Sequence, residues 1–135
     1  MPDLLVNIDV DDLQKAEAFY SQAFGLKAGR RFGDGGVELL GLAAPIYLLV
    51  KVVGTKAAPT VDQVRDYGRH WTPVHLDIVV TDIGAALARA EAAGALLEAP
   101  VKSANWGKLA LMADPFGHGF CLVEFVNRGY DEIAN

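Results

Sequence analysis

Apolar residues recur along the chain with two periods, and the switches between them mark out the same series of elements twice. Val6-Asn7-Ile8-Asp9-Val10 alternates apolar and polar residues, as a strand with one covered face requires. After Asp12, a residue suited to capping a helix, Leu13, Ala16, Phe19, Tyr20, Ala23 and Phe24 return at helical spacing, and Gly25 is placed to end the helix. Seventy residues later Leu76-Asp77-Ile78-Val79-Val80 leads to Asp82. Ile83, Ala86, Leu87 and Ala90 then repeat the helical spacing as far as Gly94.

Each helix is followed by what reads as three short strands. In the first half these are predicted at 27–31, 37–42 and 46–53, with Gly33-Asp34-Gly35-Gly36 as a turn. In the second half they are predicted at 96–101, 109–113 and 119–126, the last two joined by the turn Asp114-Pro115-Phe116-Gly117-His118. The chain thus reads as one domain, 1–135, of the α+β class. It holds a first βαβββ module at 4–53, a linker at 54–73 with a short helix around 61–67, and a second βαβββ module at 74–127. A helix covers one face of each module's sheet. The expected solution for the other faces is an open, curved, eight-stranded half-barrel around a central cleft, formed within one chain or by exchange between two subunits of a homodimer.

Composition narrows the partners. Of the 135 residues 52% are hydrophobic and 21% charged, the formal net charge is −5, and Arg30-Arg31 is the longest basic run. A surface for nucleic acid or an anionic membrane needs clustered positive charge, so neither is expected. No apolar stretch reaches the roughly 20 residues of a membrane helix. The first residues lack a basic leader, and the single cysteine, Cys121, lies in the apolar run 120–123 and reads as a buried, inert thiol, so the expected compartment is the cytoplasm.

Candidate chemistry comes from polar residues on the strands. In the fifth strand Leu76, Ile78 and Val80 form the set expected to pack on the helix, leaving His75, Asp77 and Val79 for the cleft. In the last strand the charge of Glu124 points to Phe120, Leu122 and Glu124 as the cleft set. Asn7, Asp9, Tyr47 and Trp106 complete the expected ligand contacts, Trp106 from the loop Asn105-Trp106-Gly107, where its ring could close over a planar molecule.

With its two βαβββ modules, His75 five residues before the Val of Val80-Thr81-Asp82, and Glu124 after the Asp114-Pro115-Phe116-Gly117 turn, the chain resembles the glyoxalase/bleomycin resistance/extradiol dioxygenase (vicinal oxygen chelate) superfamily. The resemblance spans about 4–126. It implies a small-molecule ligand or substrate, and half of a divalent-metal site at His75 and Glu124, with Glu124 also the catalytic carboxylate. Zinc, nickel, iron or manganese all suit such donors. The other half of that site is missing, because the matching positions of the first module are Leu5 and Val50, or with a one-residue slip Lys51, whose charge would repel a cation. Three readings therefore stand together. One is a binder of a small, partly apolar molecule that needs no cofactor; the second is a metal-dependent lyase, isomerase or dioxygenase; the third is a pseudo-enzyme acting mainly through dimer contacts.

Overall fold

Asp12 and Asp82 each end a strand and begin a helix in the same backbone conformation, φ −139° and ψ 103°. Their carboxylates accept the backbone N–H of Lys15 at 3.0 Å and of Ala85 at 3.1 Å, satisfying donors that the first turn of a helix leaves without a partner. In the computed structural model, which describes residues 1–135, these caps open the helices of two compact units, 1–68 and 69–135.

The first unit runs β1 (Val6–Val10), α1 (Leu13–Phe24), β2 (Lys27–Arg31), β3 (Gly36–Leu40) and β4 (Ile46–Val50). Its sheet has the order β1-β4-β3-β2, with β1 and β4 parallel and the other pairs antiparallel. Gly25 closes α1 in the left-handed conformation at φ 67°, which costs a residue without Cβ little. Val10, Val37, Leu39, Ile46 and Leu48 are buried, as are Ala16, Phe19, Tyr20 and Ala23 of α1. The strand residues among them share one face by alternation, so α1 lies on that face. Phe19 meets Tyr20 edge-on at 4.9 Å.

The second unit repeats this plan with β5 (Leu76–Val79), α2 (Ile83–Ala93), β6 (Leu96–Leu97), β7 (Lys102–Ser103), β8 (Gly107–Ala113) and β9 (Gly119–Phe125). The order is β5-β9-β8-β6, with β7 also on β8 and β5 parallel to β9. Its core gathers Ala110, Met112, Phe116 and Leu122 against Ile83, Ala86 and Ala90 of α2. The architecture is the expected α+β pair of helix-backed, unclosed mixed sheets. No helix is long and apolar enough to cross a membrane.

Three local expectations change. The strand expected at 96–101 is two short pieces, because Pro100 between them offers no N–H to the ladder. Strand β4 stops at Val50 rather than 53, and the helix expected around 61–67 does not form. There Lys56 bridges Val64, and Arg65 ties the segment down. Its Nε donates to Asp9 Oδ2 at 2.9 Å, its Nη1 to Thr55 Oγ1 at 3.1 Å, and its Nη2 to the carbonyl of Ala57 at 3.3 Å.

Side-chain alternation in β4 gives a direct test. Leu48→Ala removes a fully buried side chain and should cost about 2–5 kcal/mol, whereas Leu49→Ala, one residue on and half-buried on the opposite face, should cost roughly 1 kcal/mol or less. Equilibrium denaturant unfolding of the two variants measures the difference.

Candidate functional site

Parallel pairing of β5 with β9 sets the faces. Asp77 stands opposite Cys121 and Ile78 opposite Leu122, and residues paired in register point to the same side. His75, Asp77 and Cys121 therefore share the face away from α2, with Leu111 of β8 beside Cys121. One ligand-type atom from each of His75, Asp77 and Cys121 lies within 4.8 Å of the others. His75 Nε2 is 3.2 Å from Asp77 Oδ1. The buried Cys121 thiol is pushed up to about 11, first by burial and then by the charge and hydrogen bond of Asp77, so at neutral pH it is a protonated thiol.

Glu124 falls on the other face. Its Oε1 accepts the backbone N–H of Ile83, the first residue of α2, at 2.8 Å, and its Oε2 lies 3.8 Å from Lys108 Nζ. The expectation that Glu124 and His75 project together is corrected by this register. A lone charge on a strand ordinarily marks the face away from the covering helix. A carboxylate at the strand's end can instead reach the positive start of a helix, where its charge is welcome. The register of the modules also matches. Asp9 pairs with Leu49 as Val79 pairs with Val123, so Val50, the next residue, is the counterpart of Glu124, and Tyr47, opposite Asn7, is the counterpart of Cys121, opposite Asp77.

A recess of about 140 Å³ in the second unit brings His75 and Cys121 together with Arg69, Trp71, Leu111 and Phe120. Its wall is the strap 69–72. The peptide N–H of His70 donates to the Gly117 carbonyl at 3.2 Å, and His70 Nε2 and His118 Nδ1 share a hydrogen bond at 2.9 Å. The turn below is braced by Asp114. Asp114, itself buried, accepts from the N–H groups of Phe116 at 2.7 Å and His118 at 2.9 Å.

The remaining expected contacts lie elsewhere. Trp106 is outside the recess, its ring 5.1 Å from Tyr130 and 6.3 Å from Phe125, in a cluster built on the C-terminal 3-10 turn. Asn7, Asp9 and Tyr47 sit in the first unit on the face away from α1, in register with one another and with Glu38 of β3.

Glu38 is the group that reading the sequence missed. It is 7% exposed and accepts from Arg30 N–H (3.1 Å), Arg30 Nη2 (2.7 Å) and Tyr47 O–H (2.6 Å), while Arg30 Nη2 also donates to the Tyr47 oxygen at 2.9 Å. Arg30 lies where the β2–β3 register slips, so the carboxylate takes a backbone donor that the ladder leaves over. The Arg30 guanidinium first, then Tyr47, hold the Glu38 carboxyl at about 2. Its signal in the sequence was a lone acid within 36–40 close to Arg30-Arg31.

Comparison with known proteins bears on this arrangement. A family model described as a glyoxalase-like domain matches residues 5–123. The uncharacterized protein Mb0911c of Mycobacterium bovis is 31% identical over 144 residues, covering 98% of this chain and 90% of that protein. Among solved structures, a glyoxalase/bleomycin resistance protein/dioxygenase family enzyme from Burkholderia phytofirmans superposes with TM-score 0.68 at 19% identity, covering 90% of this chain and 97% of its own. A variant of the fosfomycin resistance protein FosX of Listeria monocytogenes, complexed with Mn(II) and a dihydroxypropylphosphonic acid, also gives 0.68, at 18% identity and with 90% and 89% covered.

Two titrations check the geometry. A carboxyl held down in the folded state adds stability that is whole above its ordinary value of 4.5 and lost as pH falls through about 2. The melting temperature should therefore drop between those limits, and Glu38→Gln should flatten that part of the profile. The absorbance of the Cys121 thiolate should rise only towards pH 11, and Asp77→Asn should move its midpoint down by removing the neighbouring charge and acceptor.

Proposed function

The chain belongs to the glyoxalase-like domain family, and from that premise we propose that it binds a small, partly apolar molecule in the recess of its second module. The observation that supports this most is the make-up of the recess. Trp71 and Leu111 offer apolar surface beside a few polar groups able to orient a ligand, Arg69 and His75 among them. At about 140 Å³ it suits one ring or a short chain, since an apolar cavity of about 150 Å³ is enough for benzene.

A second reading has its own observation, the convergence of His75, Asp77 and Cys121. The donors fit a divalent ion. Nitrogen, oxygen and sulfur together suit zinc or nickel better than a hard cation, and three protein donors leave a position open. Asp77 would orient the His75 ring, and the Cys121 thiol would give up its proton to bind. A bound ion would polarise an oxygen of the ligand, the chemistry of a lyase, isomerase or dioxygenase. FosX, a structural neighbour complexed with Mn(II), lends the reading support only in that it carries a divalent ion. Glu124, engaged at the start of α2 on the opposite face, has no part in it.

Both readings are tested on one protein. Neutral single-ring probes such as benzamide should shift the NMR signals of Trp71, Leu111 and His75, and Leu111→Arg, which fills the recess from a partly exposed position, should abolish the response. Equal responses from both proteins would end the first reading. Zinc, nickel or manganese at about 100 times its Kd should stabilise the native protein by roughly 2.7 kcal/mol. That gain should vanish in His75→Ala and Cys121→Ser, and a thermal melt that ignores all three ions would end the second reading.

A further inference from the structure

Arg69 is held in the recess by contacts that do not depend on the carboxylate it is paired with. Its Nη1 donates to the carbonyls of His70 and Gly117, the second at 3.4 Å. Its guanidinium also lies flat over Gly119, where a Cβ would come within 2.7 Å of Nη2, so a glycine there is what lets the group pack against β9. The other edge of the guanidinium is turned to Glu98, with Nε donating to Oε2 at 2.6 Å and Nη2 to Oε1 at 2.8 Å. This is the forked geometry in which arginine reads a carboxylate or phosphonate.

Glu98 is by contrast the looser partner. It follows β6, only two residues long, in the stretch that Pro100 interrupts, and its main chain is tied to β8 through one N–H bond to the Leu111 carbonyl at 2.9 Å. Both side chains of the ion pair are partly exposed, 42% for Arg69 and 33% for Glu98, and a pair of that kind contributes little to stability. Apolar surface adjoins the fork, with Trp71 79% exposed at the rim and Leu111 on β8 at 39%.

We propose that the recess is selective for a small planar anion, a carboxylate on an apolar ring, whose acid group replaces Glu98 on the Nε–Nη2 edge of Arg69 while its ring lies against Trp71 and Leu111. Glu98 is then an internal competitor that holds the fork closed until such a ligand displaces it to solvent. This rests on the reading of the recess as the ligand site.

Benzoate, benzamide and benzamidine share one ring and differ in charge, so titrating each into the full chain by NMR separates shape from charge. Benzoate should bind more tightly than benzamide, and benzamidine most weakly. Glu98→Gln removes the competing charge and should tighten benzoate roughly tenfold while leaving benzamide unchanged, because a site open only part of the time binds more weakly in that proportion. Arg69→Met should reduce benzoate to the level of benzamide, whose retained binding shows that the recess is intact. Benzamide binding with no benzoate gain in Glu98→Gln, or a preference for benzamidine, would overturn the anion proposal alone. If no probe binds to any of these proteins, the ligand-site reading falls and takes this one with it.

Discussion

The parallel pairing of first and last strand is the constraint on which each module rests. Both partners are central to what their module presents, and their register decides which side chains share a face. With Val10 opposite Val50 and Leu48 opposite Ile8, the first module sends an unbroken apolar set towards α1. With Ile78 opposite Leu122, the second does the same towards α2. A slip of β5 by one residue would turn its set over, burying Asp77 under the helix and exposing Ile78, so the core and the candidate site are two consequences of one alignment. Hydrophobic burial on the helix side enforces it, since each of those side chains contributes about 1.5–3 kcal/mol when removed from water.

Given the same frame, the two modules use their outer faces differently. The second places an imidazole, a carboxylate and a thiol where the first has Leu5, Asn7 and Tyr47. The first instead devotes its face to a network in which Glu38 satisfies an irregular strand, with Arg30 and Tyr47 as partners. The converging imidazole, carboxylate and thiol thus belong to the second half alone. Asymmetry of this kind is unsurprising once the core is safe, because the helix-facing set does the folding and leaves the other set open to change.

Much of the frame could be read from the chain. Asp12 and Asp82 announced both helices, the alternation at 6–10 and 76–80 gave their preceding strands, and Lys27–Arg31 formed where expected. The side assigned to β9 was harder to read. Cys121, Val123 and Phe125 are as apolar as Phe120 and Leu122, so hydropathy did not distinguish the faces, and the single charge of Glu124 misled. That charge sits opposite the N–H of Ile83, a contact set by how the helix start meets the strand end rather than by any local pattern. The strap of Arg69 and the bonds of Arg65 were likewise invisible, because Arg69 reaches the carbonyl of Gly117 and Arg65 the carboxylate of Asp9, partners far away in sequence that no local pattern brings together.

The irregular second strand of each module has a consequence for crowding. An outer strand that is long, flat and apolar invites other chains to add to the sheet. Here β2 is a bulged, fully solvent-facing run carrying Lys27, Arg30 and Arg31, and its counterpart is cut by a proline into two fragments of two residues. On that side neither sheet offers a template, so the protein is protected against runaway strand addition during synthesis and at high concentration by the same defects that interrupt its symmetry.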